Sequence, residues 1–169
     1  MSRYALIRKN DIANGLGVRT TFWVQGCHWH CKNCHNKEQW DFNGGFEFTQ
    51  ATVDTIINYI SDNGIRRDFT ILGGEPFEKI NIPMCIEVLK QVRKAYPDIN
   101  VWVYTGYLYE DLLNDDRALE FLKLVDVLVD GLFIEELYNI NLKFKGSTNQ
   151  RIIDVKESIN KKEVREIRI

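Results

Sequence analysis

Three of the four cysteines in this 169-residue chain, Cys27, Cys31 and Cys34, fall within eight positions of one another, in the run Gly26-Cys27-His28-Trp29-His30-Cys31-Lys32-Asn33-Cys34-His35-Asn36. Their spacing is C-x3-C-x2-C. Three thiolates on one short loop are soft donors that can ligate three irons of a cubane 4Fe–4S cluster. Since four cysteines are the usual complement, three leave one iron open, as an open position is left in catalytic zinc sites. Two other readings compete on the residues alone. One is zinc held by the three thiolates and a histidine, His30 or His35. The other is a set of inert buried thiols, although the neighbouring His, Lys and Asn residues do not look like core. Cys85 is different: it lies on the apolar stripe of a predicted helix and reads as a small core hydrophobe, not as a fourth ligand.

A second segment, Gly73-Gly74-Glu75-Pro76, follows the apolar run Phe69–Leu72. Glycines there permit positive φ and close backbone approach, and proline fixes the geometry of the turn. On its own this is a strand-ending turn.

The elements that must carry these segments alternate. Thr20–Val24, Phe69–Leu72, Val101–Tyr104, Val125–Val129 and Arg151–Val155 read as short strands. A helix capped by Thr49 carries the stripe Val53, Ile56, Ile57, Ile60 and stops at Gly64. A second runs from Pro83 to Tyr96 with Cys85, Val88, Leu89, Val92 and Tyr96 on one side, ended by Pro97, and a third covers Asp116–Leu124. Strands separated by helices of this length predict an α/β protein with a mostly parallel sheet. Four or five parallel strands are too few for an eight-stranded barrel, so the expected form is an open, partial (β/α) barrel. Ligands of such sheets sit at the C-terminal strand ends. The unusual residues cluster there: Gly26-Cys27, Gly73–Pro76, Thr105-Gly106-Tyr107 and Asp130-Gly131. With no repeat, low-complexity run or linker, residues 1–169 read as a single domain.

Charge and hydropathy narrow the classes. A net charge of −2 and a pI near 5.9 argue against nucleic-acid binding. The N-terminal run MSRYALIRKNDIANG lacks the apolar segment of a signal peptide. No stretch reaches the roughly 18 apolar residues of a membrane helix. The expectation is a cytoplasmic protein with no membrane partner.

C-x3-C-x2-C after the first strand of a parallel β/α unit, followed by GGEP after the next, resembles the radical S-adenosylmethionine superfamily. The resemblance extends further. Asp11-Ile12-Ala13-Asn14-Gly15-Leu16-Gly17-Val18-Arg19 and then FWVQGC look like the start of glycyl-radical-enzyme activases. Asp126–Asp130, Gly131-Leu132-Phe133 and the run Phe144-Lys145-Gly146-Ser147-Thr148-Asn149-Gln150-Arg151 resemble the activating proteins of anaerobic ribonucleoside-triphosphate reductase. The likeness spans residues 3–155. Pyruvate formate-lyase activases are the nearest alternative, and they are distinctly longer.

The resemblance implies that Cys27, Cys31 and Cys34 hold a 4Fe–4S cluster whose open iron chelates S-adenosylmethionine. Reductive cleavage of the sulfonium then yields a 5′-deoxyadenosyl radical, which takes hydrogen from a glycine of the reductase's glycyl-radical subunit. A low-potential electron donor is a second implied partner. By the same resemblance Gly73, Gly74 and Glu75 meet the methionine amino group. Asn33 stands where many superfamily members carry an aromatic residue, and His35 where this family often has tyrosine. Asn33, His35, Tyr104 and Asp130 complete the implied cofactor contacts, with Asn149 and Arg151 as further matches to the family stretch.

Overall fold

The computed structural model describes residues 1–169. Seven strands, β1 (Arg3–Asp11), β2 (Arg19–Val24), β3 (Phe46–Glu47), β4 (Asp68–Gly73), β5 (Val101–Tyr104), β6 (Val127–Asp130) and β7 (Arg151–Asp154), form one sheet in the order β3-β1-β2-β4-β5-β6-β7. The central strands β2, β4, β5 and β6 are parallel neighbours. Helices α1 (Gln50–Ser61), α2 (Ile82–Ala95), α3 (Tyr109–Leu112), α4 (Asp116–Leu122) and α5 (Val155–Lys161) complete the chain.

The sheet is open, with a parallel centre as expected and antiparallel edges. β7 returns antiparallel to β6, and the connection between them carries a 3-10 turn, Glu135–Leu137, in place of the helix usual in a parallel crossover. β1 and β3 add a second antiparallel edge. β1 carries only a four-residue apolar run, Tyr4–Ile7, followed directly by Arg8 and Lys9 and not by a turn residue, so the sequence does not mark it as a strand.

Period-two alternation assigns the two faces. Phe22, Val24, Phe69, Ile71, Val101, Val103, Leu128 and Ile153 lie in one core with Val53, Ile56 and Ile60 of α1, Val88, Leu89 and Val92 of α2, and Phe121 and Leu122 of α4. Cys85 is fully buried in this core, as its helical position predicted. The helices start where the chain supplies caps. Thr49 N donates to Thr52 Oγ1 at 3.1 Å at the head of α1, and Asp115 accepts from Arg117 N and Ala118 N, each at 2.9 Å, ahead of α4. The α1 pattern ends at Ser61, and a 3-10 turn, Asp62–Gly64, occupies the place predicted for its last residues.

The opposite face carries a smaller cluster, Trp102, Val127, Val129 and Ile152, with Tyr104 and Phe144 against it. It also carries a buried cation. Arg19 has no exposed surface. Its guanidinium donates to Thr70 Oγ1 (2.7 Å), Leu16 O (2.9 Å), Phe69 O (2.8 Å) and Asn100 O (2.9 Å) and lies over the Trp102 ring at 5.4 Å. Burial lowers its pKa to about 10, opposed chiefly by the Asp68 carboxylate, so it stays charged at neutral pH. Those bonds tie the beginnings of β2, β4 and β5 together, which sets the register with which their other ends arrive at the site. Arg19→Leu removes the buried donor shared by Thr70 Oγ1 and the Leu16, Phe69 and Asn100 carbonyls. We expect it to cost at least about 3 kcal/mol, seen as a lowered urea midpoint with an unchanged m value.

Candidate functional site

The site begins with a continuation of the β2–β4 pairing beyond the strands. Val24 faces Gly73 in register. Gly74 N then donates to Val24 O at 2.9 Å, and Glu75 N to Gly26 O at 2.8 Å. A Cβ on Gly74 would lie 2.5 Å from Gly26 O, and one on Gly73, whose φ is +111°, would lie 2.9 Å from the Val24 backbone. Both glycines are therefore required by the closeness of the two chains. Asn81, which precedes α2, donates to Gln25 O and Glu75 O at 3.0 Å each, so the head of α2 fixes both strand ends.

The cysteine loop is fastened at both ends. Gln25 is buried, and its amide donates to Glu38 O (3.1 Å) and Asp41 O (2.8 Å). Gly26 N donates to Gln39 O at 2.8 Å and Cys27 N to Trp40 O at 3.2 Å. On the near side His28 N donates to Glu78 Oε1 at 2.9 Å, and the His28 ring bonds the same oxygen. Within the loop, His30 and Asn33 take positive φ and Cys34 N donates to Cys31 O at 3.1 Å, which winds the three cysteines inward. All four thiols are free. Burial pushes the Cys27 thiol up to about 12, and also raises that of Cys31. These thiols thus release protons when they bind a metal.

Cys27, Cys31 and Cys34 open on one cavity of about 140 Å³, walled by Gly73, Gly74, Glu75, Tyr104, Thr105, Gly106, Leu132, Phe133 and Gln150. A neighbouring cavity of about 300 Å³ shares Cys34, Gly73, Gly74, Tyr104, Phe133 and Gln150 with it, and extends over Trp23, Leu72, Asn14 and Lys145 on the helix-free face. The larger hollows lie elsewhere. One of about 490 Å³ is lined by α3, α4 and α5 residues, and one of about 560 Å³ sits around Arg19 at the opposite strand ends. Neither contains a cysteine.

The expected site residues divide into two groups. Gly73, Gly74 and Tyr104 line both cysteine-side cavities. The Tyr104 hydroxyl is buried without a protein partner, and burial raises its pKa well above the ordinary phenol value. His35 lines the extension and packs against Phe133 and Tyr138, with ring centroids 5.5 and 6.4 Å away. Glu75 borders the cavity, but its carboxylate is turned to the protein. It accepts from Trp29 Nε1 (2.9 Å), Phe77 N (2.9 Å), Thr105 Oγ1 (2.7 Å) and Gly106 N (2.8 Å). Burial raises its pKa, and those four bonds oppose the rise.

Asp130 and Asn33 depart from expectation. Asp130 is fully buried, and its oxygens accept from Tyr109 N (2.8 Å) and from Nε and Nη2 of the Arg151 guanidinium. It is thus a staple between β6 and β7 and is not among the residues that line the cavity. Arg151, which matched the family stretch without an assigned role, also grips Glu110 through two bonds of 3.0 and 2.7 Å and so stands in a structural ion-pair network. Asn33 is exposed and its amide bonds Glu135 outside the cavities. Asn149 donates to Leu132 O at 2.8 Å.

Gln150 and Phe133 were quoted in the sequence reading only as parts of family stretches, yet both line the two cavities. The signal for Gln150 lay in the turn chemistry of Gly146-Ser147. Its Oε1 accepts from Gly146 N (2.8 Å) and Ser147 N (3.1 Å), and its Nε2 donates to Gly131 O (3.0 Å).

Comparison with known proteins bears on the same residues. A family model described as a 4Fe-4S single cluster domain matches residues 13–153, which include the cysteine loop, the Gly73–Pro76 turn and Gln150. An anaerobic ribonucleoside-triphosphate reductase-activating protein of Haemophilus influenzae is 38% identical over 143 residues, covering 84% of this chain and 91% of the relative. The chain belongs to this family. The protein of the same description from Escherichia coli K12 is 38% identical over 141 residues, 83% of this chain and 90% of the relative. That of Enterobacteria phage T4 is 34% identical over 149 residues, 88% of this chain and 92% of the relative.

The donor set fits an iron–sulfur group. Three soft thiols face one cavity, and Asn36 N donates to Cys34 Sγ at 3.3 Å, the kind of bond that tunes a thiolate ligand. It fits a single zinc ion poorly. His30 is stacked on Trp40 at 4.4 Å, His35 lies on Phe133, and neither histidine lines the cavity onto which the three thiols open. Glu75→Gln would set an amide NH2 against donors that now meet a carboxylate oxygen. We expect a loss of about 1–3 kcal/mol, measured as a fall in thermal midpoint, with Glu78→Gln on the exposed side of the loop losing less.

Proposed function

We propose that this protein activates an anaerobic ribonucleoside-triphosphate reductase as a radical S-adenosylmethionine enzyme of the oxidoreductase class. Cys27, Cys31 and Cys34 would hold the 4Fe–4S cluster. The observation that carries the reading is the shared cleft: three free thiols and the Gly73–Glu75 turn line one cavity, and that cavity runs on into a second along the open sheet face. When bound and reduced by a low-potential donor, the cluster supplies the electron that splits S-adenosylmethionine into methionine and a 5′-deoxyadenosyl radical, which takes a hydrogen atom from a glycine of the reductase.

The chain's own residues bind, orient and exclude water. The backbone of Gly73 and Gly74 offers polar groups to the amino acid part of S-adenosylmethionine. The Glu75 carboxylate, spent on four protein donors, holds Trp29, Thr105 and Gly106 in place around it and acts as a positioning residue. Tyr104 offers an unpaired hydroxyl, and Trp23, Leu72 and Phe133 give the extension an apolar wall that keeps water from a reactive radical. The parallel strands β2, β4, β5 and β6 then correspond to a shortened partial-barrel core within a single domain of 169 residues. No helix is long and apolar enough to cross a membrane, which accords with action in the cytoplasm. The names of the relatives favour a ribonucleotide reductase over pyruvate formate-lyase as the protein acted on.

Anaerobic reconstitution with iron and sulfide, reduction and addition of S-adenosylmethionine should yield 5′-deoxyadenosine. Cys31→Ala should reduce the yield at least a hundredfold, and Cys85→Ala should leave it within about twofold if the protein folds, since Cys85 is core. A protein that takes up zinc instead and never forms 5′-deoxyadenosine would overturn the proposal.

A further inference from the structure

One surface beside the cleft is built in a way that the chemistry above does not use. Between Gly131 and Arg151 the chain forms a tongue, Ile134–Thr148, whose backbone is fixed by polar bonds. Ile134 N donates to Ser147 Oγ (3.2 Å), Thr148 N to Leu137 O (2.9 Å) and Asn139 N to Gly146 O (3.2 Å), and Tyr138 pairs antiparallel with Ser147. Ser147 is fully buried at its base. Lys32 in the cysteine loop pairs with Glu135 at 2.8 Å, and Asn33 bonds the same carboxylate. The tongue's backbone is thus held on both sides by polar bonds.

Those side chains face outward. Ile134 is 37% exposed, Leu137 40%, Tyr138 49% and Ile140 80%. Single exposed apolar residues are ordinary, but four large ones in seven positions on a fixed turn are the mark of an interaction surface. The patch is continuous with the cleft. Tyr138 meets Phe133, with ring centroids 6.3 Å apart, and His35 at 6.4 Å, and Phe133 and His35 line the cavity that also contains Cys34.

We propose that the outward face of this tongue, Ile134, Leu137, Tyr138 and Ile140, is the docking surface for the reductase polypeptide whose glycine is oxidised. This rests on the activase reading above, which requires a polypeptide to reach the cysteine cleft. A chain entering along the Phe133 wall passes over the tongue first. Apolar contacts there can hold the partner while its glycine segment enters, and the prefixed backbone lowers the ordering cost of docking. A second copy of this protein seated on the same patch would cover the cleft mouth, so it is not the occupant that the activity requires.

The test compares wild type, a Leu137→Ser/Ile140→Ser double variant and an Ile65→Ser control in an exposed position before β4. Affinity for an anaerobic ribonucleoside-triphosphate reductase is read by anaerobic sedimentation, and 5′-deoxyadenosine formation is read without reductase. We expect the double variant to bind reductase at least about tenfold more weakly, with wild-type 5′-deoxyadenosine formation, and the control to match wild type in both. Unchanged reductase affinity in the double variant overturns the docking surface, including the case in which the substitutions only abolish self-association. A wild type that forms 5′-deoxyadenosine yet binds no reductase overturns the surface and leaves the radical chemistry standing. A wild type that binds reductase through these residues but forms no 5′-deoxyadenosine supports the surface and refutes the chemistry.

Discussion

Two backbone hydrogen bonds, Gly74 N to Val24 O and Glu75 N to Gly26 O, carry the β2–β4 ladder one step beyond its strands, and the site depends on that step. They bring the start of the cysteine loop and the Gly73–Pro76 turn side by side, at a separation that admits no side chain on Gly73 or Gly74. From there the polar interior is organised around one carboxylate. Glu75 joins Trp29 in the cysteine loop to Thr105 and Gly106 beyond β5, so three strand ends share a single acceptor. A buried carboxylate with four donors is costly to move and costly to break, which suits a cleft that must hold its shape with or without a bound group.

The charged groups that looked most like ligands are structural for the same reason. Asp130 and Arg151 are adjacent across β6 and β7, and their pairing closes the antiparallel edge. Arg19 performs the corresponding task at the other ends of the strands, where it gathers carbonyls from three segments. What lines the two cavities is thiols, glycine backbone, Tyr104, Gln150 and an apolar sheet face, with Asn14, His35 and Lys145 in the extension. The ion pairs of Asp130 and Arg151 build the frame, and most of the groups that line the space are soft or neutral.

Much of this was legible in the residues. The cysteine spacing and the GGEP turn each followed a strand, and parallel pairing obliged the two ends to meet on one rim. Val101–Tyr104 was read to the residue, and the apolar stripes of α1 and α2 gave the covered face. Less legible was anything that turns on where a polar side chain finds its partner. Asp130 stood at a strand end, where ligands bind, but the sequence does not reveal that Arg151 would face it across an antiparallel pair. Glu75 looked available until its four donors, drawn from residues 29 to 106, were assembled by the fold. β1 was missed because its short apolar run, Tyr4–Ile7, is flanked by Arg3, Arg8 and Lys9 and not by the turn residues that ordinarily bound a strand. From the sequence alone Ile134, Leu137, Tyr138 and Ile140 had no role, and only the structure shows them exposed together on one fixed turn.

The central claim is that Cys27, Cys31 and Cys34, and not Cys85, hold a cluster with one iron open to S-adenosylmethionine. Electron paramagnetic resonance of the anaerobically reconstituted, dithionite-reduced protein tests it most directly, with and without S-adenosylmethionine, in wild type and in the Cys34→Ala and Cys85→Ala variants. The account predicts a reduced 4Fe–4S signal that S-adenosylmethionine reshapes, present in Cys85→Ala and absent or grossly altered in Cys34→Ala. A signal indifferent to S-adenosylmethionine, or one that is lost with Cys85 in a folded protein, would contradict it.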